Sequence, residues 1–191
     1  MTDGERPRLV LLNGPPGIGK TTLALRYARD RPLALALDID TLRRALGQWE
    51  TNQEAAGLLA RGMALAMIRT HLTAGHDVVV PQYVARTDFL DALAVAAEAA
   101  GGRYVEVYLT DTRAAALRRF ADRAGDEAAA QHHPAAVRGV GGAAGLAAMV
   151  DRIETVRTRR ADAISVRTRA GEIEESYQAL VAALDPGGVT P

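Results

Sequence analysis

Eight consecutive residues, Gly14-Pro15-Pro16-Gly17-Ile18-Gly19-Lys20-Thr21, fill every fixed position of the pattern G-x-x-x-x-G-K-[ST]. Glycines at these positions let backbone N–H groups turn inward around a phosphate. A helix that starts there aims its positive end at the same anion. Lys20 is placed to reach the outer phosphates of a nucleoside triphosphate as a point charge, and the Thr21 hydroxyl to sit on Mg²⁺. Nucleotide contacts are therefore expected from Gly14, Pro15, Pro16, Gly17, Ile18, Gly19, Lys20, Thr21 and Thr22. The flanks agree with this reading. Leu9-Val10-Leu11-Leu12 is a buried-strand pattern, and Thr22–Ala28 is a helical run with no breaker.

A second stretch, Asp38-Ile39-Asp40-Thr41-Leu42-Arg43, places two carboxylates and a guanidinium just past an apolar run, Leu33–Leu37. In open α/β sheets the carboxyl ends of strands are where ligands bind. Moving a phosphoryl group to a hydroxyl needs a carboxylate that orients the hydroxyl and takes its proton. Asp40 is assigned as that base and Asp38 as a water-mediated partner of Mg²⁺. The two roles are exchangeable on sequence alone, and either acid could instead cap a short helix. Arg43, Gln82, Tyr83 and Arg86 are candidates, with Asp40, for holding the acceptor. Arg119 and Arg123, four residues apart on one helix face, are candidates to close over the transferred group. Trp49 fits a core position or a wall of the acceptor pocket equally well. His71, His76, His132 and His133 lack carboxylate or cysteine neighbours at ligand spacing and read as exposed.

The elements that must carry these residues alternate strand with helix, the pattern of a parallel sheet. Strands are expected at Arg8–Leu12, Leu33–Leu37, Val78–Val80, Tyr104–Leu109 and Ala163–Arg167. Helices are expected at Lys20–Arg29, Thr41–Leu46, from about Thr51 to Thr73, Thr87–Ala100, Arg113–Arg123, Leu146–Arg160 and Glu172–Leu184. Thr51 with Glu54 makes a capping box, and Leu58, Leu59, Met63, Ala66 and Met67 are expected to face the core. Residues 125–145, rich in glycine and alanine, are expected to form a mobile lid. The third strand, Val78–Val80, leads to Gln82, whereas a general ATPase usually carries an acid at the end of such a strand. That difference favours phosphorylation of a small molecule.

The 191 residues suit a single domain spanning 1–191. The 23 basic and 23 acidic side chains cancel, so no polyanionic partner is indicated and no nucleic acid is expected. The absence of cysteine excludes disulfides and thiolate metal sites. A polar start and the lack of a long apolar run predict a cytoplasmic protein with no membrane partner. Composition leaves the oligomeric state open.

The phosphate loop, the Asp38-x-Asp40-x-x-Arg43 stretch and the arginine-bearing lid together resemble the small P-loop kinases. The likeness is to the group that includes chloramphenicol phosphotransferase, zeta toxins and AAA-type kinases. It implies a P-loop NTPase three-layer α/β sandwich: a five-stranded parallel sheet with helices on both faces. It also implies ATP and Mg²⁺ as cofactors and a small-molecule hydroxyl as acceptor. In that group the carboxylate after the second strand is the base, which points to Asp40, and adenine lies near the connection before the last strand, here Arg160–Ala163. Adenylylsulfate kinases have a similar Asp-x-Asp stretch but often a glycine where this chain has Ile39. A nucleotide or nucleoside kinase and a non-catalytic, ATP-dependent switch are the alternative readings.

Overall fold

Two apolar runs, Leu9–Leu12 and Val78–Val80, are completely buried, as strands covered on both faces must be. They belong to β1 (Arg8–Asn13) and β3 (Val78–Pro81), which pair in parallel from Leu9 opposite Val78 to Leu12 opposite Pro81. The computed structural model describes residues 6–124 and 142–185. Within them β2 (Leu35–Ala36), β4 (Arg103–Thr110) and β5 (Ile164–Arg167) complete a five-stranded sheet in the order β2-β3-β1-β4-β5. β2 also runs parallel to β3, and β4 parallel to β5. The chain resolves into two compact units interleaved in sequence. One comprises Met1–Leu12, Ala24–Gln82 and Arg86–Glu106; the other comprises Asn13–Leu23, Tyr83–Ala85 and Val107–Pro191.

The helices are α1 (Lys20–Arg29), α2 (Ile39–Arg44), α3 (Gln53–Thr73), α4 (Thr87–Ala99), α5 (Arg113–Ala124), α6 (Gly142–Arg157) and α7 (Ile173–Leu184). α1 occupies the bounds expected for it. α3 packs against α2, α4 and β3, and α7 against β5. No helix of the described residues is long and apolar enough to cross a membrane.

Four expectations are corrected. The second strand is only two residues long, because Leu33 turns out of the extended region at φ 57°. That residue is exposed, and its carbonyl lies 2.7 Å from His71 Nε2. The capping box at Thr51 does not form. Thr51 Oγ1 instead donates to the Gln48 carbonyl at 3.1 Å, and Asn52 occupies the N-cap without a side-chain capping bond, its Nδ2 also donating to the Gln48 carbonyl at 3.0 Å. Thr87, a residue type expected to cap the helix it opens, is instead the first helical residue of α4, whose N-cap position falls to Arg86. Finally, α3 turns the other way: Leu58, Leu59, Ala66, Met63 and Met67 are exposed, and the buried line is Ala56, Ala60, Ala64, Ile68 and Leu72. Apolar residues surround most of this helix, so hydrophobicity alone does not mark its inner side. Three alanines in the buried line let the helix approach its neighbours closely.

In the first unit a half-buried polar cluster fastens the starts of β1 and β3 to α1. Asp77 accepts the Arg8 amide N–H at 2.7 Å and the Tyr27 hydroxyl at 2.6 Å. The Arg31 guanidinium lies 3.8 Å above the Tyr27 ring. Burial, then the Asp77 carboxylate, push the Tyr27 phenol well above its ordinary pKa. The folded state therefore keeps this proton where the unfolded chain has lost it. Its contribution to stability is complete below the unfolded value of about 10 and is lost as pH rises beyond it, by up to about 1.4 kcal/mol per pH unit. Urea unfolding at several pH values between about 9 and 11 should show this decline, and Tyr27→Phe should make it shallower. Equal slopes in the two proteins would remove Tyr27 as its source.

Candidate active site

The turn from β1 into α1 is built on glycine conformations. Gly14, Gly17 and Gly19 have φ of 145°, 84° and 103°, values that side chains disfavour. Gly14 has a second constraint. A Cβ there would stand 2.8 Å from the Leu109 carbonyl oxygen, at the carboxyl end of β4. Any side chain at Gly14 would push the loop off the strand beside it.

Asn13 secures the entry to this loop. Fully buried, it accepts N–H bonds from Gly14 and Val84 at 2.9 Å each and donates to the Val84 carbonyl at 2.8 Å. One amide thus joins the start of the loop to residues 83–85. Lys20 folds back across the loop, its Nζ donating to the Gly14 and Pro15 carbonyls at 2.9 Å each. Thr21 and Thr22 lie in the first turn of α1, Thr21 half-buried and Thr22 exposed. Among the described residues no group of three or more His, Cys, Asp or Glu is placed to hold a metal ion. A metal here would draw on Thr21 and on ligand oxygens.

Beside the loop lies a cavity of about 220 Å³, walled by Gly17–Gly19 and Thr22, by Arg119 of α5, and by Thr168–Gly171 and the start of α7. Arg119 is anchored there from three directions. Its Nη2 lies 2.8 Å from Asp111 Oδ2, an ion pair whose alignment falls short of a hydrogen bond. Its Nη1 donates at 3.3 Å to the Ile18 carbonyl and at 3.3 Å to Thr168 Oγ1. The side chains of Arg119 and Asp111 are only 12% and 6% exposed, which deprives the pair of most solvent screening. The cavity is lined by the segment after β5, whereas the family likeness pointed to Arg160–Ala163 before that strand.

The acidic stretch belongs to the first unit. Asp38 is the N-cap of α2, its Oδ1 accepting the Asp40 N–H at 2.8 Å. The capping alternative thus applies to Asp38. Asp40, about one-third exposed, pairs with Arg43 Nη2 at 3.0 Å, and the Arg43 guanidinium lies 5.2 Å from the centre of the Trp49 ring. Carboxylate, guanidinium and indole form one chain of contacts. Trp49 is half-buried in this group and not in the core.

The remaining candidates separate. The Gln82 N–H donates to the Leu12 carbonyl at 3.1 Å, while its Oε1 is buried without a hydrogen-bond partner. Tyr83 donates its hydroxyl to the Met149 carbonyl of α6 at 3.3 Å, and burial pushes its phenol up from the ordinary value. Arg86 is exposed and paired with Asp88 at 2.9 Å. Arg123 falls in the last turn of α5, and its side chain lies outside the described residues, as do His132 and His133. Of the expected lid, 125–141 lie outside them too, and 142–145 form the first turn of α6. Sequence reasoning missed Asn13, Asp111 and Thr168–Gly171. The rule that strand carboxyl ends carry ligands, applied to β4 and β5, would have reached Asp111 and Thr168.

A parallel five-stranded sheet whose first strand leads through a glycine-built loop with a nested lysine into α1 defines the P-loop NTPase fold. A family model described as an AAA domain matches residues 9–140, and the chain belongs to that family. No curated protein matches the chain. Among solved structures, a gluconokinase from Sinorhizobium meliloti 1021 is similar over 95% of this chain and 93% of its own, with 18% identity and a TM-score of 0.63. The structure of APE1195 is similar over 96% of this chain and 97% of its own, with 19% identity and a TM-score of 0.62. A chain of the Pnkp1/Rnl/Hen1 RNA repair complex is similar over 83% of this chain and 48% of its own, with 13% identity and a TM-score of 0.61.

Proposed function

We propose that the chain is an ATP-dependent, Mg²⁺-dependent phosphotransferase whose acceptor is a hydroxyl of a small molecule, acting as a single domain over 1–191. The observation that carries this reading is the joining, within one compact unit, of the Lys20-nested loop to a cavity with room for a flat heterocycle. One feature suits phosphates and the other suits a base, so a nucleotide is the ligand class that uses both. The three positive-φ glycines and the lysine fit the group: phosphate oxygens would replace the Gly14 and Pro15 carbonyls as partners of Lys20 Nζ.

In this reading the bound nucleotide supplies the phosphoryl group, and the chain supplies position and charge. Loop N–H groups from Gly14 to Thr22 and Lys20 bind the phosphates. Thr21, together with phosphate oxygens, would hold Mg²⁺. Asp40 orients the acceptor hydroxyl and takes its proton, and Arg43 keeps the Asp40 carboxylate in place. Arg43 holds the acceptor beside Asp40, with Trp49 as a flat wall. Arg119 forms a wall of the base cavity. The compartment is the cytoplasm, with no nucleic acid or membrane partner.

The test is transfer of label from γ-labelled ATP into a pooled set of small hydroxyl compounds, antibiotics, sugars and nucleosides. A labelled product that disappears in Asp40→Asn is the expected result. ATP bound and only slowly hydrolysed, with no product from any pool, would overturn the phosphotransferase reading.

A further inference from the structure

Arg119 reaches the cavity from α5, yet none of the contacts that fix it comes from α5. They come from the carboxyl end of β4 through Asp111, from the segment after β5 through Thr168, and from the phosphate loop through the Ile18 carbonyl. Thr168 is itself 2% exposed, and its hydroxyl lies 3.4 Å from both the Ile18 and Thr110 carbonyls. The hydroxyl has one proton to donate and lone pairs with which to accept Arg119 Nη1. The Ile18 carbonyl is therefore approached by Thr168 and by Arg119 together. Two residues further on stands Lys20.

We propose that Asp111 and Thr168 are positioning residues for nucleotide recognition. They hold Arg119 as a preformed wall of the cavity and, through Ile18, tie that wall to the phosphate loop. The proposal rests on the reading of this cavity as the base site. Asp111 supplies charge: with both side chains nearly buried, its carboxylate fixes the guanidinium more strongly than an exposed pair could. Thr168 supplies direction, because its hydroxyl settles where Nη1 points. Neither touches a phosphate, so their effect falls on the part of the ligand that carries the base. Pre-ordering the wall removes a cost that binding would otherwise meet.

The experiment compares the Kd of ATP with that of inorganic tripolyphosphate, which carries the phosphates and no base, by calorimetry on the full-length chain. The wild-type protein is expected to bind ATP more tightly by about tenfold or more. Asp111→Asn and Thr168→Val should each weaken ATP by about tenfold and leave tripolyphosphate within about twofold. Thr168→Ser, which keeps the hydroxyl, should restore ATP binding. A general loosening of the fold would weaken both ligands alike and would not be rescued by serine. Thermal melts identify any variant that fails to fold; if Asp111→Asn does, the threonine pair decides alone.

Equal losses for the two ligands, or no loss for ATP, would overturn the positioning role while leaving the base site in place. Equal affinity of the wild-type protein for ATP and tripolyphosphate would instead remove the base site itself, and the positioning role with it.

Discussion

Asp40→Asn is expected to lower kcat by about 10²–10⁴-fold while the Kd of ATP stays within about threefold. The substitution keeps the size of the side chain and removes its ability to take a proton. It also takes away the negative partner of Arg43, which now lies 3.0 Å away. Two effects therefore combine, and a second variant separates them. Arg43→Lys keeps a positive charge but loses the planar fork and its stacking on Trp49. That change should raise the KM of the acceptor more than it lowers kcat. Rapid-quench measurement of the chemical step with both variants gives the comparison. An Asp40→Asn enzyme that turns over within a few-fold of wild type would take the base role away from this residue.

Lys20→Ala should act on binding and transfer together. Lys20 Nζ is the cation nested among the loop carbonyls of Gly14 and Pro15. Its removal leaves a phosphate cradle made of backbone dipoles without their point charge. A loss of about 10²–10³-fold in kcat is expected, the scale seen when one preorganised donor is taken from a transition state, together with weaker binding of ATP. The contrast with Asp40→Asn is diagnostic: one variant binds and does not transfer, the other does neither well. If Lys20→Ala bound ATP and tripolyphosphate as the wild type does, the loop would not be the phosphate site.

The readable and unreadable parts of this molecule divide along physical lines. The first strand, the loop and α1 were legible because loop chemistry fixes residue types at consecutive positions. Tight glycine turns and a helix start leave little freedom. β3 was legible because three adjacent β-branched residues suit a covered strand. The inner face of α3 was not legible, since Leu58, Leu59, Met63 and Met67 present a stronger apolar stripe than the alanine line that the fold buries. Packing there is decided by size, which periodicity does not register. The cavity was out of reach for a different reason. Its walls come from three separated segments, and the Arg119 contacts with Asp111, Ile18 and Thr168 cross sequence gaps that no motif spans. Asp40 and Arg43 were each legible as candidates, while their ion pair, three residues apart on one helix, is a finding of the structure.

Asn13 gives the protein a chemical clock. Its side-chain amide joins the loop entry to Val84 by donating with Nδ2 and accepting with Oδ1, a division of labour that only an uncharged amide can perform. The residue after it is Gly14, and an asparagine followed by glycine is the dipeptide most prone to cyclise and lose its amide once the backbone is unrestrained. In the folded chain Asn13 is buried and both ends of its amide are engaged. In the unfolded chain nothing holds it. Deamidation would set a carboxylate against the Val84 carbonyl, where a donor is required. Each excursion through the unfolded state, by heat or by age, thus risks a covalent change at the residue that fastens the loop entry, and molecules so altered would refold with a damaged nucleotide site or not at all.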